Sequence, residues 1–304
     1  MKKNILFLLF CPFIFFTSCS QTNADFYKDG LAKSESKNYK EAIALYDKAI
    51  EQDPKHHDAY SKRGTAKAQL GNFKEAVADF DKAIEIKGDD ALDYYNRGLA
   101  KFQIDNINGA LDDFTKATQL KPDYAMAYNN LGIVKSETGN FKPAISDFDK
   151  AIKYQPDLVQ AFINRAEAKH EVGDVKGEVE DYTKAVSLKP DAETYYNLGL
   201  ANYSCKDYKG AISALDKAIE LKPDFTDAYY NRGVAKTEIE DFKGEMQDYN
   251  KAIELKPDHG DAYVNRGAAK IEMNDKTGAC EDFNKAKELG IENVDELINK
   301  YCKK

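Results

Sequence analysis

The chain reads as an all-α protein of stacked antiparallel helix pairs, and three features predict this. Glycine returns at Gly30, Gly64, Gly98, Gly132, Gly199, Gly233 and Gly267, with Ala166 in the slot it skips; the period is 34 residues, apart from one step of 33 between Ala166 and Gly199. A repeat of that length is a supersecondary unit that buries its apolar face only by stacking on its neighbours. Within the units an alanine (Ala42, Ala76, Ala110, Ala144, Ala211) is followed four residues later by an aromatic residue or leucine (Tyr46, Phe80, Phe114, Phe148, Leu215). Three residues further on comes a second alanine, present in all eight units as Ala49, Ala83, Ala117, Ala151, Ala185, Ala218, Ala252 and Ala286. Spacing of four then three puts the three residues on one helical face, where small side chains permit close packing. Units close on Pro54, Pro122, Pro156, Pro190, Pro223 and Pro257, or on Gly88, which stop one helix and set a turn before the next.

Residues 1–18 come first. Lys2 and Lys3 precede an apolar run from Ile5 to Phe16, which at twelve residues is short of the roughly twenty that span a bilayer, so the segment reads as an export signal. It ends Phe16-Thr17-Ser18-Cys19-Ser20, which resembles a bacterial lipobox with Phe where Leu is usual. The resemblance implies that Cys19 is lipidated and becomes the first residue, with 19–22 as a tether. The expected location is the cell envelope, on a membrane through the lipid, at the periplasmic side of the outer membrane. The alternative is a signal cut later, after Ala24, or an uncleaved anchor.

Eight units follow at 23–56, 57–90, 91–124, 125–158, 159–191, 192–225, 226–259 and 260–293. The missing residue of the fifth falls near Asp191-Ala192, in a turn, where a deletion costs least. Asp123, Asp157, Asp191, Asp224 and Asp258 follow the prolines and are placed to cap the next helix. The segment 294–304 is an amphipathic capping helix, with Val294, Leu297, Ile298 and Tyr301 on the face that covers the last repeat.

These positions, with recurring strings such as Tyr94-Tyr95-Asn96-Arg97-Gly98, resemble the tetratricopeptide repeat family over about Asn23 to Asn293. The resemblance implies a right-handed α-solenoid whose first helices line a concave groove. Its groove-facing places here include Tyr27; Tyr95, Leu99 and Phe102; Ile133; Tyr196, Leu200 and Tyr203; and Tyr230 and Val234, with Asn96, Asn130, Asn197 and Asn231 beside them as amides able to bond a peptide backbone. The alternative is that these residues pack between neighbouring units. The preceding tyrosines, among them Tyr60, Tyr94, Tyr229 and Tyr263, are expected to fill the space between helices. The Lys and Asn or Arg clamp with which one branch of the family grips terminal carboxylates is absent. Glu35, Glu137, Glu171, Glu238 and Glu272 stand in the groove instead, which favours a partner with Lys or Arg beside apolar anchors.

Two departures from the pattern carry expectations. Glu178 and Glu245 stand in the first alanine slot, where a long acid is expected to swing outward or loosen its helix pair. An Arg/Lys stripe (Arg63 and Lys67, Arg97 and Lys101, Arg165 and Lys169, Arg232 and Lys236, Arg266 and Lys270) matches an acidic one at Asp79, Asp113, Asp181, Asp248 and Asp282; the sixth unit has Leu198, Asn202 and Ala214 instead, so the losses coincide. The stripes read as intramolecular ion pairs, worth about 0–1 kcal/mol each if exposed.

No phosphate loop, nucleophile elbow or paired cysteine motif occurs, and His56, His57, His170 and His259 form no metal-ligand spacing and read as surface residues, so neither catalysis, cofactor nor metal is expected; the alternative is a weak metal or pH-sensing role for His170 beside Glu167 and Glu171. Beyond the signal and Cys19, three cysteines remain, Cys205, Cys280 and Cys302, read as free thiols with a Cys280–Cys302 pair as the alternative. With 44 basic and 52 acidic residues the charge is −8, and 42 − 52 = −10 once Lys2 and Lys3 leave, a sign that repels nucleic acid. The expected function is a non-enzymatic scaffold holding protein or peptide partners in the envelope; the alternative is a glycan or cell-wall-polymer-binding lipoprotein, which the absence of Trp disfavours.

Overall fold

The computed structural model describes residues 22–292 and 294–302, so the signal segment and Cys19 lie outside the described residues. Two compact units divide at Leu120. The first holds α1 (Asn23–Glu35), α2 (Tyr39–Gln52), α3 (His57–Gln69), α4 (Phe73–Ile86), α5 (Ala91–Phe102) and α6 (Ile107–Leu120). In the second are α7 (Ala125–Glu137), α8 (Phe141–Tyr154), α9 (Val159–Glu171), α10 (Val175–Leu188), α11 (Ala192–Ser204), α12 (Tyr208–Leu221), α13 (Thr226–Thr237), α14 (Phe242–Leu255), α15 (Gly260–Glu272), α16 (Lys276–Glu288) and α17 (Val294–Tyr301). Among the described residues there are helices and no strands, and each odd helix up to α15 packs on the helix that follows it.

The repeating face forms the core. Ala42, Ala76, Ala110, Ala144, Ala211 and Ala279 are fully buried, as are all eight second-slot alanines, and the large side chain between them is closed from solvent in every pair, from Tyr46 through Phe148 to Phe283. The periodic glycine is what lets that ring in. A Cβ on Gly132 would sit 2.5 Å from Phe148 Cε1 and one on Gly233 2.6 Å from Tyr249 Cε1, closer than carbon atoms approach, so in these pairs the first helix lies this close to the ring because the slot has no side chain; in the fifth pair Ala166 takes the slot against Tyr182. Tyr60, Tyr94, Tyr229 and Tyr263 are half-buried, each beneath an arginine of its own unit at 5.2 to 5.4 Å; Tyr60 packs on the cluster of Ala49, Ile50 and Ala59 and Tyr263 on that of Ala279 and Phe283, so they add to the space filled chiefly by the second-helix rings.

Capping differs from expectation. Asp191 accepts from Thr194 N and caps α11, but Asp123, Asp157, Asp224 and Asp258 each lie one residue too early, and the N-cap places fall to Tyr124, Leu158, Phe225 and His259, none with a side-chain cap bond. The deletion in the fifth unit is what moves Asp191 into the capping position. The second helices of the last four pairs carry the functional caps instead, with Asp174, Asp207, Asp241 and Asp275 accepting from the backbone three residues on.

The stripes are ion pairs, and stronger ones than exposed surface pairs. In the fifth unit Arg165 grips Asp181 with two nitrogens at 2.5 and 2.8 Å and Lys169 reaches the same carboxylate at 2.9 Å, while Asp181 is 2% exposed. The other nitrogen of each arginine turns to the preceding pair, to Asp47 from Arg63, Asp81 from Arg97, Asp149 from Arg165 and Asp216 from Arg232, so the stripe also bolts one unit to the next. Burial opposes the arginine charges and the carboxylates more than restore it, leaving Arg165 and Arg232 harder to deprotonate than free arginine. In the sixth unit Leu198 and Ala214 are buried and join an apolar cluster with Ala166, Tyr182, Val186 and Ala201.

Glu178 and Glu245 do not swing outward. They are 5% and 1% exposed, inside α10 and α14, which run unbroken through them. Each finds a polar neighbour on the preceding first helix, His170 for Glu178 and Thr237 for Glu245, and this is what keeps the acids inside.

The amphipathic face of α17 covers the last pair as expected. Val294, Leu297, Ile298 and Tyr301 lie in one cluster with Ala279, Phe283 and Ala286. That docking brings the Cα atoms of Cys280 and Cys302 to 5.6 Å and joins them in a disulfide, which replaces the expectation of three free thiols; Cys205 is free and exposed.

Candidate partner-binding groove

The expected groove residues separate into two groups. The second-place tyrosines are half-buried and packed. Tyr27 lies 6.0 Å from the Tyr46 ring and 4.9 Å from His56, Tyr95 lies 5.8 Å from Phe114, Tyr196 4.9 Å from Phe225, and Tyr230 4.8 Å from His259 and 6.1 Å from Tyr249. Asn231 donates to the Tyr196 hydroxyl at 3.0 Å and Asn265 to that of Tyr230 at 3.1 Å, so these amides tie successive first helices together. Asn164 donates to Asn129 at 3.0 Å in the same way, and Asn130 accepts from Asn129 at 3.4 Å. An amide spaced one unit from a hydroxyl was visible in the sequence; that the two meet was not, because it depends on the offset between stacked helices.

The second group lines cavities. In the first compact unit Asn96 and Leu99, the latter 37% exposed, border a cavity of about 330 Å³ floored by Phe73 and Phe80. Three more open in the second compact unit, each between two successive first helices above the second helix that joins them. Ile133 borders one of about 510 Å³ with Phe141, Phe148, Glu137, Glu167 and Glu171; Asn197 and Leu200 border one of about 220 Å³ with Tyr182, His170, Glu171 and Glu178; Val234 borders one of about 330 Å³ with Phe242, Tyr249, Glu238, Glu245 and Glu272. Phe102 is half-buried on α5, and Tyr203 donates to Glu238 at 3.0 Å, its own ionisation pushed up to about 12 by burial and by that acid.

All three cavities of the second compact unit thus have aromatic floors and acidic walls. Burial raises the carboxyls of Glu167 and Glu245 above the ordinary glutamate range. Ser136, at the first cavity, holds the one buried side-chain polar atom among the described residues without a hydrogen-bond partner. A peptide with apolar anchors and positive charge would meet complementary chemistry along this face.

A separate cluster lies between α3 and α5. His57, expected at the surface, is half-buried and its Nε2 stands 2.6 Å from Asp93 Oδ2, while Nδ1 meets Asp58 at 2.8 Å; Asp93 is 1% exposed and also accepts from Ser61. With Asp90, ligand atoms of His57 and Asp93 fall within 4.8 Å of one another. A nitrogen and oxygen at 2.6 Å share a proton, so in this arrangement the pair is a latch between units. Burial opposes the charged imidazole, but the bonds to Asp58 and Asp93 outweigh it and the His57 pKa is raised above 6.5. The stabilisation is therefore complete below the free-histidine value and lost as pH rises through the folded one. Amides of α3 and α5 are expected to exchange faster at pH 8.5 than at pH 6 after correction for intrinsic rates, and His57→Gln to abolish the difference; equal protection in wild type at both pH values would refute the latch.

No curated protein sequence matches the chain. Among solved structures it is similar to YrrB, described as a TPR protein with an unusual peptide-binding site (22% identity, 62% of this chain and 97% of that one, TM-score 0.56), to MamA (30%, 56% and 98%, 0.51) and to pilF of Pseudomonas aeruginosa (19%, 66% and 92%, 0.59). No helix among the described residues is long and apolar enough to cross a membrane. Family models described as tetratricopeptide repeat match residues 27–91, 94–124, 125–158, 192–225, 226–259 and 260–289, leaving between them 159–191, the unit with Ala166 for glycine, Glu178 for alanine and one residue fewer. The chain belongs to the tetratricopeptide repeat family.

Proposed function

We propose that the protein is a non-enzymatic scaffold of the bacterial envelope, held on a membrane through Cys19, whose first-helix face binds peptide segments of protein partners. The observation that carries this reading is the recurrence of an aromatic-floored cavity between successive first helices, at Leu99 in the first compact unit and at Ile133, Leu200 and Val234 in the second. The Cys280–Cys302 disulfide supports export, since such bonds persist in oxidising compartments.

Solubilised envelope is passed over the mature chain and over a variant carrying Leu99→Ala, Leu200→Ala and Val234→Ala. These leave the packed tyrosines and their amides in place, so the variant is expected to stay helical while its captured proteins fall by about tenfold or more. Equal capture by both chains places recognition outside the groove, and capture of purified cell-wall polymer in place of protein would favour the glycan-binding alternative. In the same cells a Cys19→Ser chain is expected in the soluble fraction; one that stays with the membrane refutes the lipid anchor.

A further inference from the structure

Glu245 is a buried carboxylate without a cation. It is 1% exposed within α14, and the Thr237 hydroxyl donates to it. Lys236, on the neighbouring turn, is committed to Asp248 at 2.8 Å, and among the described residues no ion pair reaches Glu245. Burial raises its carboxyl above the ordinary range, with Asp241 and Glu272 adding repulsion against the Thr237 hydrogen bond. A lone buried charge is costly, so its position beside an open cavity requires an explanation.

The fifth unit supplies one. Glu178 occupies the same slot of its helix, eight residues after His170, as Glu245 does eight residues after Thr237. There the acid has an internal basic partner, since His170 Nδ1 lies 3.1 Å from Glu178 Oε2. Where the fifth unit places an imidazole, the seventh has a threonine and a cavity of about 330 Å³, lined by the Phe242 and Tyr249 rings and by Glu238 and Glu272, against about 220 Å³ in the fifth.

We propose that the cavity between α13, α14 and α15 is a pocket for one lysine or arginine side chain of a bound peptide, with Glu245 as the buried counter-charge and Tyr249 and Phe242 as its aromatic walls. The inference rests on the groove reading above. The peptide's cation supplies what His170 supplies internally in the fifth unit: it pairs with Glu245, lies over the rings, and meets Glu238 and Glu272 at the rim. Neighbouring apolar residues of the peptide rest on Val234 and Ala268.

The test is a selection from a random dodecapeptide display library on the full mature chain. Enriched peptides are expected to share one Lys or Arg beside apolar residues, and replacing that residue by norleucine, or the protein's Glu245→Gln or Thr237→His, is expected to weaken binding by about tenfold or more. Folding does not confound this. Because the folded carboxyl is raised, the stabilisation is present below the unfolded pKa and lost as pH rises through the folded one, so Glu245→Gln is expected to be at least as stable as wild type at pH 7. Thr237→His recreates the fifth unit and fills the pocket from within. Peptides that lack a cation, or that bind Glu245→Gln as tightly as wild type, overturn the inference; if those peptides are lost with Leu200→Ala and Val234→Ala, the groove reading survives alone. A chain that enriches no peptide sinks both.

Discussion

Asp181→Ala is expected to cost about 3–5 kcal/mol, while Arg165→Leu, Lys169→Asn and Asp181→Ala together are expected to cost less than about 1 kcal/mol. The single change strands two cations whose side chains are 17% and 14% exposed, around a carboxylate that is nearly closed from solvent. Neither cation can reach water freely: Arg165 keeps only its exposed partner Asp149 and Lys169 loses its acid, and the penalty is chiefly that of this lost pairing. The triple change copies the sixth unit, where Leu198, Asn202 and Ala214 occupy the equivalent slots and the leucine and alanine pack into the apolar cluster with Tyr182 and Val186. It removes the buried charges together, and beyond them it breaks the ion pair of Arg165 with Asp149, whose side chain is 56% exposed, a pair worth little. Urea titration with hydrogen exchange on α9 and α10 measures both, since a stacked array need not unfold in one step. If the single and triple variants lose equal stability, the ionic hub itself stabilises the pair and the account of stranded charge is wrong.

The same hub shows how far the sequence could be read. Pairing between first and second helix was legible because the basic and acidic slots vanish together in the sixth unit. The reach of each arginine to the preceding pair, as from Arg165 to Asp149, was not, because it depends on the distance between stacked units and leaves no local trace. The core was legible for the opposite reason: glycine, alanine and ring recur at helical spacing, and a Cβ clash of 2.5 Å against Phe148 explains why glycine holds its slot. Where the sequence misled, the cause was a neighbour from another helix. A glutamate in an alanine slot looks too long and too polar to bury until His170 or Thr237 arrives beside it, and His57 looks like a surface turn residue until α5 brings Asp93 to 2.6 Å. The failed aspartate caps are a smaller lesson, since a cap depends on a helix start being right to one residue, and only the deletion at the fifth unit satisfied that for Asp191.

The disulfide carries the other large expected effect. Joining Cys280 to Cys302 closes a loop with a sequence separation of 22, and removing that constraint from the unfolded chain is worth about 3 kcal/mol. The loss should be local. A Cys280→Ser, Cys302→Ser chain is expected to keep α1–α14 as they are and to lose protection in α15–α17, because α17 is an eight-residue helix that is stable only while Val294, Leu297 and Ile298 remain against α16. Without it, the cluster around Phe283 opens to water on its outer side, the fate of a repeat array whose terminal cap is removed. Hydrogen exchange with and without reductant reads this directly, and the double variant should match the reduced wild type. Alkylating the protein as isolated from its own cells then bears on location. Blocked thiols at both positions are expected for a chain that matures outside the cytoplasm, whereas freely alkylated Cys280 and Cys302 beside a protected α17 would mean that apolar docking alone holds the cap, and would remove the support that the disulfide lends to export.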